Sequence, residues 1–543
     1  MFNWKEFENA QNIFIQVGQE HYHMQWGQHH VDVRPKDFLR WIEMLKDDLG
    51  YLTLVDIAGV DRRDLANESG CQFELVYHLL NMGNHQRLNL HLHVNEQEII
   101  PSIVSFFAHA DWMEREQSEM LNLEFDRPMV SLLLPRDQEI YPLRKDANIK
   151  NWPQEKTLPL PRLRINPNKS EAPYPDEAYS WKKFDVLSSE TLGLFEWLVC
   201  FDPQKVVQSE VHVGFHHQGF EKILEGFSWI QVMQLVDKIQ VGAAPTYSVA
   251  WAKTIEDTYR VKIPERAQAI RIVMLELARI AEHLTVLGEM TYAMKREEFK
   301  LFINCREKVY ELFEKFCGHR QGLSIANVGG VRVDLPHGWI IEYQAVSNIL
   351  NKNLKIIHYS LMSQNNFRSM LEGSSVNAQA VLHWGVSGPA MRASGLNFDL
   401  RKSQPFYFYR DIDFDIPVGI YGTAYDRYLI RLEEIFQSLR IITQVIDNLP
   451  LGEIMNPDFS TLVLDKDQMP ATHHWHFSSL ESPNGEAGFF HLPGSEFHPY
   501  RIKIKTPSFA LTQALPHFML GLGEDQIKAC LASLGIRRME MDR

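Results

Sequence analysis

No Cys-x-x-Cys pair occurs in this chain. Its five cysteines, Cys71, Cys200, Cys305, Cys317 and Cys530, are scattered, with no two within four residues of each other. That scatter excludes a disulfide framework and points to a reducing compartment. No apolar run reaches the roughly 18–20 residues that cross a bilayer, so a membrane role is expected to come through a partner. The first residues, Met1-Phe-Asn-Trp-Lys-Glu-Phe-Glu8, lack the basic and apolar regions of a signal peptide. No Gly-x-Gly-x-x-Gly fingerprint is present, which argues against a free-standing nicotinamide dehydrogenase. Positive charge is short as well: a net charge of −14 speaks against nucleic-acid binding.

What is present suffices for two or three domains: 543 residues, 45% of them hydrophobic. Residues 1–146 read as a small α+β domain. Helical spacing runs over Asp37–Leu45, and Glu98–Glu116 reads as a second helix. Phe73–Leu79 and Leu88–Val94 alternate as half-buried strands do. Six prolines between Ala147 and Ser180 forbid regular helix, so 147–180 reads as a Pro-rich linker. Residues 181–543 read as mainly helical. The clearest helix starts at Pro264 and carries apolar residues at spacings of three and four to about Leu287, with Gly288 as its C-cap and a length of roughly 35 Å. Further helices are expected near 298–316, 338–371, 421–446 and 508–534. Gly488–Leu492 and Tyr500–Lys505 read as a small β-hairpin.

Three stretches in order, Trp112-Met-Glu-Arg-Glu116, Leu132-Leu-Leu-Pro135 and Tyr141-Pro-Leu-Arg-Lys-Asp146, make the first module resemble the C subunit of respiratory complex I. The first stretch alone would read as a charged surface helix. The second module carries Gly214-Phe-His-His-Gln-Gly-Phe-Glu-Lys222, Pro264-Glu-Arg-Ala-Gln-Ala-Ile-Arg271, Asn327-Val-Gly-Gly-Val331 and Arg392-Ala-Ser-Gly-Leu-Asn-Phe-Asp-Leu-Arg-Lys402. Tyr425-Asp-Arg-Tyr-Leu-Ile-Arg431, Tyr500–Phe509 and a terminal Met541-Asp-Arg543 follow. These motifs resemble the complex I D subunit and its relative, the large subunit of membrane-bound nickel-iron hydrogenases of the formate-hydrogenlyase type. The resemblance implies a fused C/D-type subunit: an α+β domain followed by a mainly α-helical domain of the hydrogenase large-subunit type.

The resemblance also locates what is missing. A nickel-iron centre takes four thiolates from two Cys-x-x-Cys pairs. They should fall within Asp237–Ala244 and Gly535–Asp542, and neither stretch contains cysteine. Nickel-dependent hydrogen chemistry is thereby all but removed, and no metal is expected on this chain. Complex I D subunits have lost those cysteines too and use the cavity for a quinone headgroup, with a His, a Tyr and an Asp. Those positions fall on Leu192, followed by Gly193, on Val241 and on Ala293, so the headgroup's expected donors are replaced by apolar groups. Were that register to slip, Ser188, Ser189 or Tyr247 would be the nearby residues able to compensate. Lys238 stands where complex I carries an Arg close to the iron-sulfur cluster of a neighbouring subunit; the other reading is a solvated helix-end lysine.

The remaining motif residues are His216, Glu221, Lys222, Arg266, Arg271, Arg392, Asp399, Arg401, Asp426 and Arg427. His216 is expected in a hydrogen-bonded structural role. Arg392, Asp399, Arg401, Asp426 and Arg427 are expected to form buried ion networks. His283 reads as a helix-packing residue. His473-His-Trp-His476, with His491 and His498, could offer metal ligands but reads better as a surface loop.

Two functions follow from the resemblance. In the first, the chain belongs to a membrane-associated NADH-quinone oxidoreductase-like complex. It docks an iron-sulfur small subunit and membrane ion-translocating subunits at the cytoplasmic face of the inner membrane, binds no cofactor itself, and contributes a cavity that admits quinone. In the second, it is a non-catalytic structural or regulatory subunit of a related assembly, with a degenerate site.

Overall fold

The computed structural model describes residues 21–25, 28–65, 70–134, 140–147, 180–185, 195–321, 325–457, 475–494 and 498–543. Two compact units result, one of residues 1–161 with 382–385, the other of residues 162–381 with 386–543.

The first unit is built on a five-stranded sheet of β1 (His21–Gln25), β2 (Gln28–Val33), β3 (Thr53–Asp61), β4 (Phe73–Asn81) and β5 (Gln86–Val94), in the order β1-β2-β5-β4-β3. Neighbours are antiparallel except β2 and β5. The helices are α1 (Phe38–Glu43) and α2 (Ala110–Leu121). Phe38 of α1 packs against Tyr77 with the rings tilted by 47°, and Gln117 of α2 donates to the Ile57 carbonyl. The alternation in β4 and β5 is real, but the polar face is buried as well. Glu74, His78, Asn89 and His91 tolerate this because they bond one another: His91 to Glu74 at 2.6 Å and His78 to Asn89 at 2.6 Å.

The helix expected over Glu98–Glu116 is shorter. Ile99–Ile100 forms β6, paired with β7 (Glu124–Phe125), and α2 begins only at Ala110. Pro101 carries no amide proton, and the following backbone bonds a side chain instead. Ile103 N–H and Ser102 Oγ both donate to the Glu114 carboxylate. Trp112, Glu114 and Glu116 are therefore buried, which corrects the surface reading of that stretch.

The second unit centres on one long helix. In chain order its elements include β8 (Ser180–Asp185), β9 (Glu196–Asp202), β10 (Lys205–His212), α3 (Phe220–Glu225), α4 (Trp229–Val236), α5 (Pro245–Tyr259) and α6 (Glu265–Ala293). Then come α7 (Phe299–Cys317), the paired β11 (Ala326–Asn327) and β12 (Gly330–Val331), α8 (Trp339–Met362), α9 (Phe367–Leu371), α10 (Pro389–Ala393), α11 (Leu400–Ser403) and α12 (Ala424–Asp447). The chain closes with β13 (His476–Ser482), β14 (Gly485–Pro493), β15 (Pro499–Lys505), α13 (Pro507–Gln513), α14 (Leu515–Met519), α15 (Glu524–Leu534) and α16 (Arg538–Met541).

Helix α6 has 29 residues, about 43 Å, and passes straight through Gly288. The glycine is a contact, not a cap: a Cβ there would meet Ile303 of α7 at 3.3 Å. Its neighbours are α5, α7, α12 and α15, which enclose its middle, Ala269 to Leu284, on all sides. The run expected over 338–371 breaks after Met362, and that expected over 508–534 splits into α13, α14 and α15. The expected hairpin is the β14-β15 half of a three-stranded antiparallel sheet completed by β13. His476 and His491 face each other across β13 and β14 and are buried, so this is no surface loop; His473 and His474 lie outside the described residues. Among the described residues, no helix is long and apolar enough to cross a membrane.

Candidate functional site

Because α6 is enclosed, the charges along it must be matched from neighbouring elements. Glu276 accepts from Tyr409 at 2.6 Å, Ser438 at 2.6 Å and Arg401 at 3.1 Å. Arg401 also reaches Asp399 at 2.7 Å. Arg392 joins Glu434 at 2.8 Å and Glu481 at 2.7 Å. Glu434 accepts from His283 at 2.7 Å. Arg431 donates to the other ring nitrogen of His283 at 3.0 Å. A guanidinium cannot accept, so that nitrogen is the acceptor and the imidazole proton sits on Nε2. Burial pushes His283 down to about 4, leaving it neutral. The pathway continues from Arg431 to Asn484 at 2.9 Å and from Asn484 to Glu282 at 2.8 Å. It ends on Arg537, whose Nε reaches Glu282 at 2.5 Å and whose Nη1 reaches Glu289 at 3.2 Å.

Two of the residues expected in ion networks do other work. Asp426 forms a capping box with Thr423 at the start of α12. Thr423→Ala is expected to cost about 1 kcal/mol, read as a lower urea midpoint. Arg427 meets no carboxylate among the described residues; it donates to Ser533 Oγ, the Gly422 carbonyl and Cys530 Sγ. Arg271 is held by Glu256 at 2.7 and 2.8 Å and by the carbonyls of Asn327 and Gly330, which ties two motifs together. Arg266 reaches Asp334 at 2.8 Å.

The stretches 237–244 and 535–542 come together. Gly535 ends α15 at φ +68°, and a Cβ there would lie 2.4 Å from Asn484 Oδ1, so glycine is required where the second stretch begins. From the first stretch, a Cβ on Gly242 would lie 3.4 Å from the Glu282 carboxylate, the same carboxylate that holds Arg537. Tyr247 donates to Glu540 at 2.9 Å, and Ser508 donates to the same carboxyl. Burial pushes Glu540 up to about 7. Asp542 accepts from the backbone N–H groups of Gly214 and His216, and burial raises it to about 6. A crevice beside them is lined by His216, Gln218, Phe220, Ile239, Met539 and Asp542. Glu221 gathers Arg501 at 2.7 Å, Lys503 at 3.6 Å and Arg543 at 3.6 Å, while Lys222 pairs with Glu225 at 3.3 Å.

The donor set does not fit a nickel-iron centre. Neither stretch offers a thiolate, and the place between them holds the Arg537–Glu282 pair. No cluster of metal-ligating side chains occurs among the described residues. Val241 lies exposed at the start of a short 3-10 turn, and Ala293 is the half-buried last residue of α6. Lys238 is exposed just beyond α4. Leu192, Gly193, Ser188 and Ser189 lie outside the described residues. Sequence reasoning missed Gln240, Glu282, Glu289, Arg537 and Glu540. One signal was available: Glu282 and Glu289 stand seven residues apart, two turns along a helix that is otherwise largely apolar.

Comparison with known proteins identifies the family of both units. Residues 31–152 match the family described as respiratory-chain NADH dehydrogenase, 30 Kd subunit. Residues 287–543 match that described as respiratory-chain NADH dehydrogenase, 49 Kd subunit. The NADH-quinone oxidoreductase C/D subunit of Bdellovibrio bacteriovorus is 31% identical over 536 residues, covering 94% of this chain and 95% of the relative. That of Shewanella woodyi is 30% identical, covering 90% and 88%. That of Shewanella oneidensis is 28% identical, covering 99% and 96%. A sheet-based unit of the 30 Kd kind and a helical unit of the 49 Kd kind on one polypeptide define a respiratory-chain subunit of fused type. The chain belongs to the C/D subunit family of NADH-quinone oxidoreductase, respiratory complex I. It is thus part of a larger assembly with other complex I subunits, and the reading as a non-catalytic structural or regulatory subunit of a complex I- or hydrogenase-related assembly is not favoured.

Proposed function

We propose that this chain forms the site at which electrons leave an iron-sulfur cluster of a neighbouring small subunit and reduce a quinone. The helical unit has the hydrogenase large-subunit kind of fold. The cavity lies around Val241 and Ala293, with Leu192 and Gly193 as the other positions the resemblance assigns. The observation that carries this reading is the convergence of stretches 237–244 and 535–542 on Glu282. Reduction of a quinone to a quinol takes two electrons, from the partner's cluster, and two protons, so ionisable groups beside the cavity have work to do. Lys238, exposed at the edge of the first stretch, supplies a cation toward the partner's cluster. The chain itself holds no cofactor. It attaches at the cytoplasmic face of the inner membrane through ion-translocating membrane subunits.

The test is isolation of the complex from gently solubilised membranes. An iron-sulfur small subunit and membrane subunits should co-purify with the chain. A low-potential donor should then drive quinone reduction that an inhibitor of the family's quinone site blocks. Recovery of the chain as a monomer, or an intact complex without such turnover, overturns the reading.

A further inference from the structure

We infer that this chain supplies its own donors to a carbonyl oxygen of the substrate: the side-chain amide of Gln240 and the Nη2 group of Arg537. The inference rests on the reading that this site takes a quinone. Gln240 is only 3% exposed, yet neither its Nε2 nor its Oε1 has a hydrogen-bond partner among the described residues. A buried amide left unpaired is costly, and native structures rarely keep one without a use. Arg537 is 6% exposed. Two prongs of its fork are fixed, Nε on Glu282 at 2.5 Å and Nη1 on Glu289 at 3.2 Å, while Nη2 has no hydrogen-bond partner among the described residues.

The two side chains belong to the stretches that meet. Gln240 is two residues before Gly242, which abuts the carboxylate that holds Arg537. Ile239 and Met539, the residue before Gln240 and the second after Arg537, line the same crevice. A guanidinium clamped by two carboxylates cannot swing, so its third prong is aimed in advance and costs no reorganisation when an acceptor arrives. The clamp also selects the ligand class. Glu282 and Glu289 carry two negative charges against the one positive charge of Arg537, and Arg431 balances the second, leaving no net positive charge for a carboxylate or phosphate. A neutral acceptor with carbonyl oxygens fits. The loss of donors at Leu192, Val241 and Ala293 is thereby offset by a different pair.

Two variants in the assembled complex test this, with a short-chain quinone as the probe and a low-potential electron donor. Gln240→Leu removes both amide atoms without breaking a hydrogen bond seen within the chain. It is expected to raise KM about ten-fold, with yield undiminished and thermal stability equal to or above that of wild type. Arg537→Lys keeps a cation for Glu282 and Glu289 but loses the fork, and should lower kcat/KM by roughly ten- to a hundred-fold. If the lysine variant does not assemble, the leucine variant decides. A wild-type complex that reduces quinone while Gln240→Leu keeps KM within about two-fold overturns the inference and leaves the site reading standing. A wild-type complex whose clusters are reduced by the donor but which reduces no quinone overturns the site reading itself.

Discussion

Arg392→Met is expected to abolish accumulation of the assembled subunit, with a loss of about 3–5 kcal/mol in folding stability. Arg392 is fully buried on α10, with Glu434 at 2.8 Å, Glu481 at 2.7 Å and Asp399 at 3.5 Å. It also donates to the Phe398 carbonyl. A methionine of similar volume fills the space but leaves three carboxylates facing one another with one cation fewer, in surroundings where water cannot screen them. Arg279, Arg401 and His283 are already engaged with members of the same group and cannot take its place. The informative contrast is Glu481→Gln. Burial, then the neighbouring Asp399, pushes the Glu481 carboxyl up, so its charge is the least favoured in the group. Glutamine keeps one oxygen, which accepts from Arg392, and gives up the longer contact from the Leu400 N–H. That variant should lose about 1 kcal/mol, well short of the loss in Arg392→Met. Urea unfolding and the yield of assembled complex distinguish the two. Equal stability of Arg392→Met and wild type would show that the network does not hold the fold.

The sequence shows the network's members but not their pairing, for a physical reason. The motif residues Arg392, Asp399 and Arg401 are close in the chain, yet their partners Glu434, Glu481 and Glu276 come from α12, β13 and α6. Arg537 finds Glu282 across 255 residues. Periodicity reports which face of a helix is apolar, and it located α6 well because Ile270, Val273, Leu277, Ile280 and Leu284 recur on one face. It could not show that the other faces of α6 are enclosed too, since that depends on what four other helices bring. The same limit explains β13. His476-Phe-Ser-Ser-Leu-Glu-Ser482 lacks the β-branched and aromatic richness that marks a strand, and it is a strand because its polar side chains are satisfied from elsewhere. Ser478, for example, bonds Asp257 and Lys253 of α5. Boundaries failed where one residue has two meanings. Gly288 can end a helix or let two helices approach, and only the position of Ile303 decides.

Replacing Glu540 with glutamine should stabilise the subunit at alkaline pH and flatten its pH dependence. Glu540 lies on α16 beside Tyr247 of α5 and Ser508 of α13, both neutral donors to its carboxyl. Glu282 of α6 repels its charge, and Arg537 attracts it. Burial outweighs all of these and moves the carboxyl from 4.5 up to about 7. The folded state therefore holds the proton more tightly than the unfolded chain does. The stability this contributes is fully present below about pH 4.5 and is lost as the pH rises through about 7. At 1.36 kcal/mol per unit, the wild-type subunit gives up roughly 3 kcal/mol by pH 8 through this group alone. Glutamine has no proton to lose. Its oxygen accepts from Tyr247, and its amide donates to Ser508 Oγ, which is free to rotate. Asp542, raised to about 6 in the same way, keeps its own decline in both proteins, so the difference between the two curves isolates Glu540. The measurement is thermal unfolding of the purified complex from pH 5 to 8.5. The variant's lead over wild type should already show at pH 5, grow to about pH 7 and level off above it. Parallel curves across that range would show that Glu540 is ionised in the folded subunit and that burial does not govern it.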